Sequence, residues 1–469
     1  MTIIDAFHLP GLTDADVQRW TERTYGDGRV ALRFPVLEEG AITRLIGRLL
    51  EARAQRLERM TARDIARVLA QAAARLADAD DPLRRLADEA LPAITGYSNA
   101  MIRLVLDRMV MDWSERALLG LLDTELAGGI ALDRFIRTPA GRRVRAVGPR
   151  LAFQVFAGNV PGVAVTALVR SVLVRAATLG KTAAGEPLLT VLFARALEQV
   201  DPALGACVAI THWAGGGSLI EDEVLSEADV IIVYGGAEAV RAIRSRAPAT
   251  ARVIEHGPRV SLGMVGRAAL ASDASATATA ARVAWAVSLF DQQGCVSPHV
   301  IWVERGGAIE PRAFAHRVGD ALAELVTELP AGTLSASEAA AIHEARTTAE
   351  FRAIAGEDVA VRVGDAAGWT VIYDGDPRFE PSCLNRTIRI KAIAALEDVC
   401  VLIEPVRGRV QTAGLEGVGE RTVALAAALA DAGVTRITDF RNMPWPPMAG
   451  HHDGVGPLAE LVRRVDLEL

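Results

Sequence analysis

The spacing of apolar and polar residues changes after about residue 130. In residues 37–79, apolar side chains recur at helical spacing between charged ones, and the same spacing returns in residues 98–126. This spacing is typical of amphipathic helices. It predicts a mainly helical N-terminal part, residues 1–130, that packs on the rest of the protein.

From residue 131 onward, short apolar runs alternate with helical stretches. We predict a hairpin in residues 131–147 and buried strands at 151–156 and 229–234. Strands that alternate with helices form parallel sheets covered on both faces, and such sheets bind nucleotides at the carboxyl ends of their strands. We therefore expect an α/β cofactor-binding domain of the Rossmann type over residues 131–256.

Two turns in this region are predicted to open helices. Pro161 suits a first helical turn, because proline has no N–H to leave unpaired there. The three glycines 215–217 are predicted to open a second helix.

A second α/β lobe is predicted over residues 257–445, followed by a C-terminal segment, 446–469. Its elements include helices at 278–290 and 311–327, with a short apolar strand at 300–303 between them. No repeat or low-complexity linker separates the two lobes. We expect this second lobe to be a catalytic domain, because it contains the candidate nucleophile described below.

Composition excludes several classes of protein. The 469 residues are 51% hydrophobic and carry a formal net charge of -7, which suits a large globular core and argues against nucleic acid as a partner. The most apolar long window, 163–179, is interrupted by Arg170 and Arg175, so no membrane span is expected. The N-terminus lacks the basic and apolar regions of a secretory signal.

The four cysteines lie far apart in the chain, at positions 207, 295, 383 and 400. They have neither the paired spacing of a structural zinc site nor the density of a disulfide scaffold. We therefore expect a reduced, cytoplasmic setting and no structural metal.

The candidate nucleophile is Cys295, which lies between Gly294 and a small polar turn. A catalytic cysteine attacks as a thiolate, so it needs helix N-terminal amides or a cation nearby. His299 would lie one turn further on if this segment were helical, where it could favour the thiolate. The alternatives are a small buried cysteine and a packing histidine.

Polar residues and glycines follow four predicted strands in the order Asn159, Lys181, Gly235–Gly236 and Glu255, all before Cys295. An amide such as Asn159 can stabilise the oxyanion that forms when a thiolate attacks an acyl carbonyl, and a helix N-cap is its alternative role. Glycines after a strand let a backbone approach a pyrophosphate at a helix N-terminus. A solvated lysine, a plain tight turn and a strand-end carboxylate are the alternatives for the other three positions.

Together these motifs resemble the aldehyde dehydrogenase superfamily and, within it, the LuxC-type long-chain fatty acyl-CoA reductases. The likeness covers roughly residues 145–460 and is carried by segments 156–162, 179–182, 234–237, 255–259 and 294–298. The chain departs from the family pattern at Val296 and His299.

The resemblance implies an aldehyde-dehydrogenase-like fold and a role for each site residue. It makes Cys295 the nucleophile and Asn159 the oxyanion donor, and it places Glu255 where oxidising relatives have a general base. It assigns the cofactor to Lys181, Thr182, Gly235 and Gly236.

The resemblance also bears on which cofactor is used. Superfamily members often place a ribose-binding glutamate three residues after this lysine, where the chain has Ala184. Because a glutamate there would repel a 2′-phosphate, its absence favours NADPH. Glu186 is the nearest acid in this segment.

The implied activity is NADPH-dependent reduction of an activated fatty acyl group to an aldehyde through a Cys295 thioester. The acyl donor would be an acyl-CoA, an acyl-adenylate or a carrier thioester. Family resemblance further implies an acyl-activating synthetase or a thioesterase as partner, and we expect a homo-oligomer. Two alternatives remain, an aldehyde-oxidising dehydrogenase and a non-catalytic acyl-binding subunit.

Two further features have no assigned chemistry. The histidines at 451 and 452 are adjacent and lack the spacing of a facing metal-ligand pair, and residues 452–454 resemble a C-terminal family segment. Arg386 lies in another family-like segment, where a structural salt bridge is the default interpretation.

Overall fold

The computed structural model describes residues 2–215, 219–364 and 368–468. Two of the three glycines predicted to open a helix, 216 and 217, lie outside these ranges. Over the described ranges, no helix has both the length and the apolar composition needed to cross a membrane.

The described strands are β1 Thr2–Asp5, β2 Val17–Tyr25, β3 Val30–Leu37, β4 Ile136–Arg137, β5 Arg143–Val147, β6 Leu151–Val155, β7 Ala177–Lys181, β8 Val208–Thr211, β9 Val230–Tyr234, β10 Arg252–His256, β11 Val260–Val265, β12 Pro298–Glu304, β13 Val359–Val363, β14 Thr370–Asp374, β15 Thr387–Ile393, β16 Val410–Glu416, β17 Arg436–Thr438 and β18 Arg463–Leu467.

The described helices are α1 Ala41–Gln55, α2 Ala62–Ala77, α3 Pro82–Thr95, α4 Asn99–Asp112, α5 Glu115–Leu126, α6 Ile130–Asp133, α7 Val163–Leu173, α8 Leu189–Val200, α9 Pro202–Gly205, α10 Leu219–Glu227, α11 Ala237–Arg246, α12 Asp273–Ser288, α13 Pro311–Glu328, α14 Ala336–Ile354, α15 Val399–Leu402 and α16 Thr422–Asp431.

The chain forms two compact units. The first comprises residues 1–95, 102–257 and 447–469, and the second comprises residues 96–101 and 258–446. Each unit is built around one parallel sheet.

In the first unit, a five-stranded sheet has the order β10-β9-β6-β7-β8, and all its strands are parallel. Its buried strands and the apolar face of α1 share one core, which includes Leu45, Leu49, Phe153 and Ile231. Antiparallel pairing of β4 with β5 confirms the predicted hairpin, and β18 adds a third strand to it. The Rossmann-type arrangement predicted from the sequence is confirmed.

In the second unit, a seven-stranded sheet has the order β13-β14-β15-β12-β11-β16-β17. Its neighbouring strands are parallel except for the antiparallel pair β13 and β14. Helices α12 and α13 pack on one face through residues such as Val283, Val287 and Phe314. The predicted second α/β lobe is therefore confirmed.

The helices predicted in the N-terminal part are confirmed, but three strands precede them. β1, β3 and β2 form a small sheet in that order. β2 shows mostly exposed positions, without the two-residue alternation of a half-buried strand, and β3 contains Pro35. Both features conceal a strand from pattern analysis, so the sequence predicted only the helices.

Candidate active site

Four of the predicted site positions lie at one edge of the five-stranded sheet. β6 is flanked by β7 on one side and by β9 on the other, so the strand order reverses there. Asn159 follows β6, Lys181 ends β7, Gly235–Gly236 follow β9, and Glu255 is the second-last residue of β10. In open parallel sheets, this reversal point at the carboxyl edge is where ligands bind.

Asn159 is exposed in the turn between β6 and α7. The helix begins at Val163 rather than at the predicted Pro161, because Gly162 at its N-cap has a left-handed φ of 92° that interrupts the helical run. Asn159 is therefore not the N-cap, and that alternative role is wrong.

Lys181 is buried, so the alternative of a solvated surface lysine is wrong. Its Nζ lies 2.7 Å from Glu221 Oε1 and 5.6 Å from the centre of the Trp213 ring. Burial opposes ionisation of Glu221, but hydrogen bonds from Lys181 and Arg246 outweigh it and lower the pKa of the carboxyl group. The lysine thus belongs to a small charge-balanced cluster at the sheet edge.

Thr182 and Glu186 both have internal partners. The buried Thr182 hydroxyl donates to the Thr211 carbonyl at 3.4 Å. One Glu186 carboxylate oxygen accepts from the N–H groups of Leu188 and Leu189, both at 2.8 Å. Burial raises the pKa of Glu186, and these two N–H groups oppose the shift. Glu186 is therefore engaged at the start of α8.

The Gly235–Gly236 turn has room for a ligand. Gly236 is the N-cap of α11, and a Cβ built on it would meet no atom within 4 Å. A Cβ on Gly235 would lie 3.2 Å from the Ala239 side chain. A helix N-terminus with unobstructed backbone amides suits a phosphate group, so these residues fit the pyrophosphate of a dinucleotide cofactor.

Glu255 and His256 lie on opposite faces of β10, because successive side chains alternate in a strand. Glu255 is half-buried and forms an ion pair with Arg244, with 3.3 Å between Oε1 and Nη1. This contact agrees with an ordinary strand-end carboxylate.

His256 lies in a stack of three rings. Its ring lies 4.5 Å from that of Tyr234 and 4.0 Å from that of His452, centre to centre. Its Nδ1 lies 3.3 Å from Asp453 Oδ2, so the C-terminal family-like segment packs against β10. The sequence singled out residues 452–454 but not their partner.

One ligand atom from each of His256, His452 and Asp453 lies within 4.8 Å of the others. The two imidazole rings are parallel within 6°. The lone pair of an imidazole nitrogen lies in the plane of its ring. One metal ion therefore cannot lie in the planes of both imidazole rings unless one ring rotates. Nearby, burial raises the pKa of Glu460 to about 7.

Cys295 lies in the second unit, in a turn between α12 and β12, and its side chain is exposed. No helix of the described chain begins there, so of the two alternatives, helix N-terminal amides or a nearby cation, the amides are not at hand. The Ser261 hydroxyl on β11 donates to the Cys295 carbonyl at 2.7 Å and accepts from the Thr412 N–H at 3.2 Å. The turn is thus tied to two neighbouring strands.

Arg436, the first residue of β17, is a cation near Cys295. Thr412 pairs with Arg436 across β16 and β17, so the guanidinium lies on the strand next to the Ser261 bridge. Burial lowers the pKa of Arg436, and the charges of Asp439 and Cys295 oppose that shift. The guanidinium is therefore within electrostatic range of the Cys295 sulfur, and its strand lies too far along the chain for sequence reasoning to find it.

His299 lies in strand β12, not in a helix, so the conditional placement one helical turn after Cys295 is wrong. Burial lowers the pKa of His299, and a backbone hydrogen bond at Ser382 opposes the shift. A neutral ring offers no charge to a thiolate, which agrees with a packing histidine.

Comparison with known proteins places the chain in a family. The family model of acyl-CoA reductase (LuxC) matches residues 57–464. The long-chain acyl-protein thioester reductase of Aliivibrio fischeri is 25% identical over 390 residues, covering 82% of this chain and 78% of that protein. The protein of the same name from Vibrio harveyi is 26% identical over 391 residues, covering 82% and 78%.

Solved structures show the same fold. Aldehyde dehydrogenase 21 from Physcomitrella patens, in complex with succinate, has a TM-score of 0.73 at 12% identity and covers 99% of this chain and 98% of its own. A variant of aldehyde dehydrogenase C from Pseudomonas syringae, in complex with NAD+ and octanal, has a TM-score of 0.72 at 14% identity and covers 98% and 96%. The fold is that of the aldehyde dehydrogenases, and the chain belongs to the acyl-CoA reductase (LuxC) family.

Proposed function

We propose that this protein is an NADPH-dependent reductase that converts an activated fatty acyl group to an aldehyde through a thioester on Cys295. Family membership and fold support an acyl reductase in general. The observation that carries the finer proposal is the exposed Cys295, whose carbonyl is bound by Ser261 and whose sulfur is within electrostatic range of Arg436.

In the first half-reaction, the Cys295 thiolate attacks the acyl carbonyl carbon. A C–S bond forms, and the bond to the donor's leaving group, a thiol or AMP, breaks. Arg436 favours the thiolate because its positive charge opposes protonation of the sulfur. Asn159 is the proposed donor to the carbonyl oxygen as it becomes an oxyanion, together with the Cys295 N–H.

In the second half-reaction, the reduced nicotinamide, when bound, supplies a hydride to the acyl carbon. The C–S bond then breaks, the aldehyde is released, and Cys295 returns as a thiolate. The proposed cofactor contacts are Gly235 and Gly236 at the pyrophosphate and Lys181, with Thr182 behind it, at the adenosine side.

NADPH is proposed over NADH for two reasons. Ala184 is exposed where a ribose-binding acid is common, and Glu186 is engaged in hydrogen bonds to α8. The acid next to Lys181 is Glu221, whose charge is balanced by Lys181 and Arg246. No unbalanced acid among these residues would repel a 2′-phosphate.

The donor is proposed to be a fatty acyl thioester, held on CoA or on a protein. The relatives are named for acyl-protein thioesters, which favours a protein-bound donor. From the family resemblance we also propose an acyl-activating synthetase or a thioesterase as a partner. A homo-oligomeric assembly is a further proposal.

Intact-protein mass spectrometry tests the proposal directly. The protein is incubated with acyl-CoA, acyl-adenylate or acyl-carrier-protein donors, with and without NADPH. We expect a covalent acyl adduct on Cys295 that NADPH removes as aldehyde. Cys295→Ala should lose the adduct, whereas Cys383→Ala, at a half-buried cysteine elsewhere in the same unit, should keep it.

An aldehyde-oxidising dehydrogenase depends on a general base that activates water, the role that Glu255 would have. The Arg244 ion pair gives that carboxylate another partner. Glu255→Gln should therefore leave acyl reduction within about 3-fold of the wild type. Loss of ester hydrolysis with intact reduction would support the reductase, whereas loss of reduction would assign Glu255 a role in that step. A protein that forms no adduct and does not bind NADPH would be a binding subunit.

A further inference from the structure

The backbone next to Cys295 is held in an unusual conformation. Residues 290–292 all have left-handed φ angles, between 46° and 65°, although none is glycine. A second run, residues 384–386, has φ angles between 52° and 67° and also lacks glycine. Residues with a Cβ rarely adopt this region, and runs of three persist only where surrounding contacts hold them.

These two runs contact each other through buried polar side chains. Arg386 Nε donates to Asp291 Oδ1 at 2.7 Å, and the side chains are 2% and 10% exposed. Directly after the first run, the Gln293 amide donates to Oδ1 of Asn385, in the second run, at 2.9 Å. The predicted salt bridge of Arg386 is thus confirmed, and its partner lies four residues before Cys295.

Neighbouring backbone groups take up the remaining donors and acceptors of the pair. Asp291 Oδ2 accepts from the Gly332 N–H at 3.0 Å. The two terminal nitrogens of Arg386 donate to the carbonyls of Leu329 and Pro330, at 2.8 and 3.2 Å. A Cβ on Gly332 would lie 2.8 Å from Asp291 Oδ2, so this close approach requires glycine.

A cavity lies beside the pair. It has a volume of about 260 Å³, and its lining includes Asp291, Arg386, Gly332 and Asn385. Asp291 of the left-handed run therefore borders open space instead of packed side chains. The ion pair and its hydrogen bonds hold the run at Asp291, and the Tyr97 hydroxyl and the Pro298 carbonyl bind Phe290 and Gln292 on either side of it.

We propose that Asp291 and Arg386 are positioning residues that fix the turn carrying Cys295. This inference rests on the proposed function, because it assumes that Cys295 is the acyl acceptor. The pair acts by holding residues 290–292 in the conformation from which Gly294 and Cys295 follow, and small displacements of a nucleophile reduce rates strongly.

The test compares two buried ion pairs of the same unit. Asp291→Asn removes the negative charge next to the turn that carries Cys295, here called the nucleophile turn, with little change in side-chain shape. Asp374→Asn does the same to the matched pair of Asp374 and Lys391, whose side chains are each 2% exposed and 2.9 Å apart. For each variant, kcat, KM, the melting temperature and the rate of Cys295 alkylation, read from its peptide, are measured on folded protein.

We expect Asp291→Asn to lower kcat by about 10- to 100-fold with KM within about 3-fold, and to change the alkylation rate of Cys295. Asp374→Asn should lower the melting temperature while leaving kcat and alkylation close to the wild type. Arg386→Lys, which keeps the positive charge of the pair, should lower kcat less than Asp291→Asn does.

Equal effects of the two variants on kcat, or an unchanged kcat in Asp291→Asn, would overturn the positioning role. If Asp291→Asn does not fold, Gln293→Met leaves the ion pair in place, removes the amide's hydrogen bonds to Asn385 and Glu338, and must reproduce a smaller fall in kcat. Failure of the proposed function is seen separately, as a wild-type protein that forms no adduct on Cys295.

Discussion

The two candidate site regions, one in each unit, are built in different ways. The edge of the five-stranded sheet uses regular elements: strand ends, a helix N-terminus and an open glycine turn at Gly236. The Cys295 turn uses a strained backbone, a buried ion pair and a hydroxyl bridge between strands. Each left-handed residue there costs about 1–2 kcal/mol. The ends of β6, β7, β9 and β10, here called the cofactor edge, come together through the topology of the sheet alone. The position of a reacting atom depends instead on dedicated side-chain contacts.

Substitution of Asn159 tests this contrast most sharply, because Asn159 lies at the sheet edge but is proposed to stabilise the oxyanion. Asn159→Ala should lower kcat by about 100- to 1000-fold, because one oxyanion donor is lost. Since Asn159 is exposed and is not a helix N-cap, the melting temperature should change little. Steady-state kinetics and thermal unfolding check this. A full loss of NADPH binding would instead make Asn159 part of the cofactor edge.

The first unit also has a pH-dependent element, Glu460. Burial raises its pKa to about 7, against the opposing charges of Arg170 and Arg252, while Asp453 and Glu125 add to the shift. The native state then binds this proton more tightly than the unfolded state does. The contribution of Glu460 to the free energy of unfolding is therefore fully present below the unfolded pKa near 4.5. This contribution is lost as pH rises through about 7.

Denaturant titrations between pH 4 and 8 should show this as a difference between wild type and Glu460→Gln. The wild type should lose about 2–3 kcal/mol relative to the variant over that range. Parallel curves for the two proteins would show that Glu460 ionises normally in the native state.

Arg436→Gln sharpens the contrast at the nucleophile turn. The variant removes the cation near the sulfur, so the pH at which Cys295 is half-reactive toward iodoacetamide should rise by about one unit. The side chain also donates to the Asn442 and Met443 carbonyls, each at 2.7 Å, and glutamine can keep part of these contacts. Peptide mass spectrometry follows Cys295 apart from Cys383. An unchanged profile would remove Arg436 from the mechanism.

Ala184→Glu tests the cofactor edge with the smallest expected effect. An acid at this exposed position would repel a 2′-phosphate, so kcat/KM should shift about 10-fold toward NADH. Ala184→Gln, of similar size but neutral, is the control and should shift much less. A variant that keeps the wild-type ratio of NADPH to NADH would place the ribose elsewhere.

The sequence predicted more at the sheet edge than at the nucleophile turn. Apolar runs and their spacing identified β6, β7, β9 and β10, and the residues at their ends followed at once, because parallel strands share one carboxyl edge. It also identified Cys295 through its short-range motif. The small N-terminal sheet was missed, since β2 lacks alternation, and the helix start at Pro161 was wrong by two residues because of the left-handed Gly162.

The sequence by itself determined the alternation of strands and helices after residue 130, the two α/β lobes, the family likeness and the candidate cysteine, because local spacing and short motifs specify all of these. Only the tertiary structure decided that Arg436 lies near Cys295, that Asp291 pairs with Arg386 and that His256 stacks on His452. Those pairs are between 95 and 196 residues apart in the chain. No local pattern specifies such contacts, since they arise when strands and turns distant in sequence pack together.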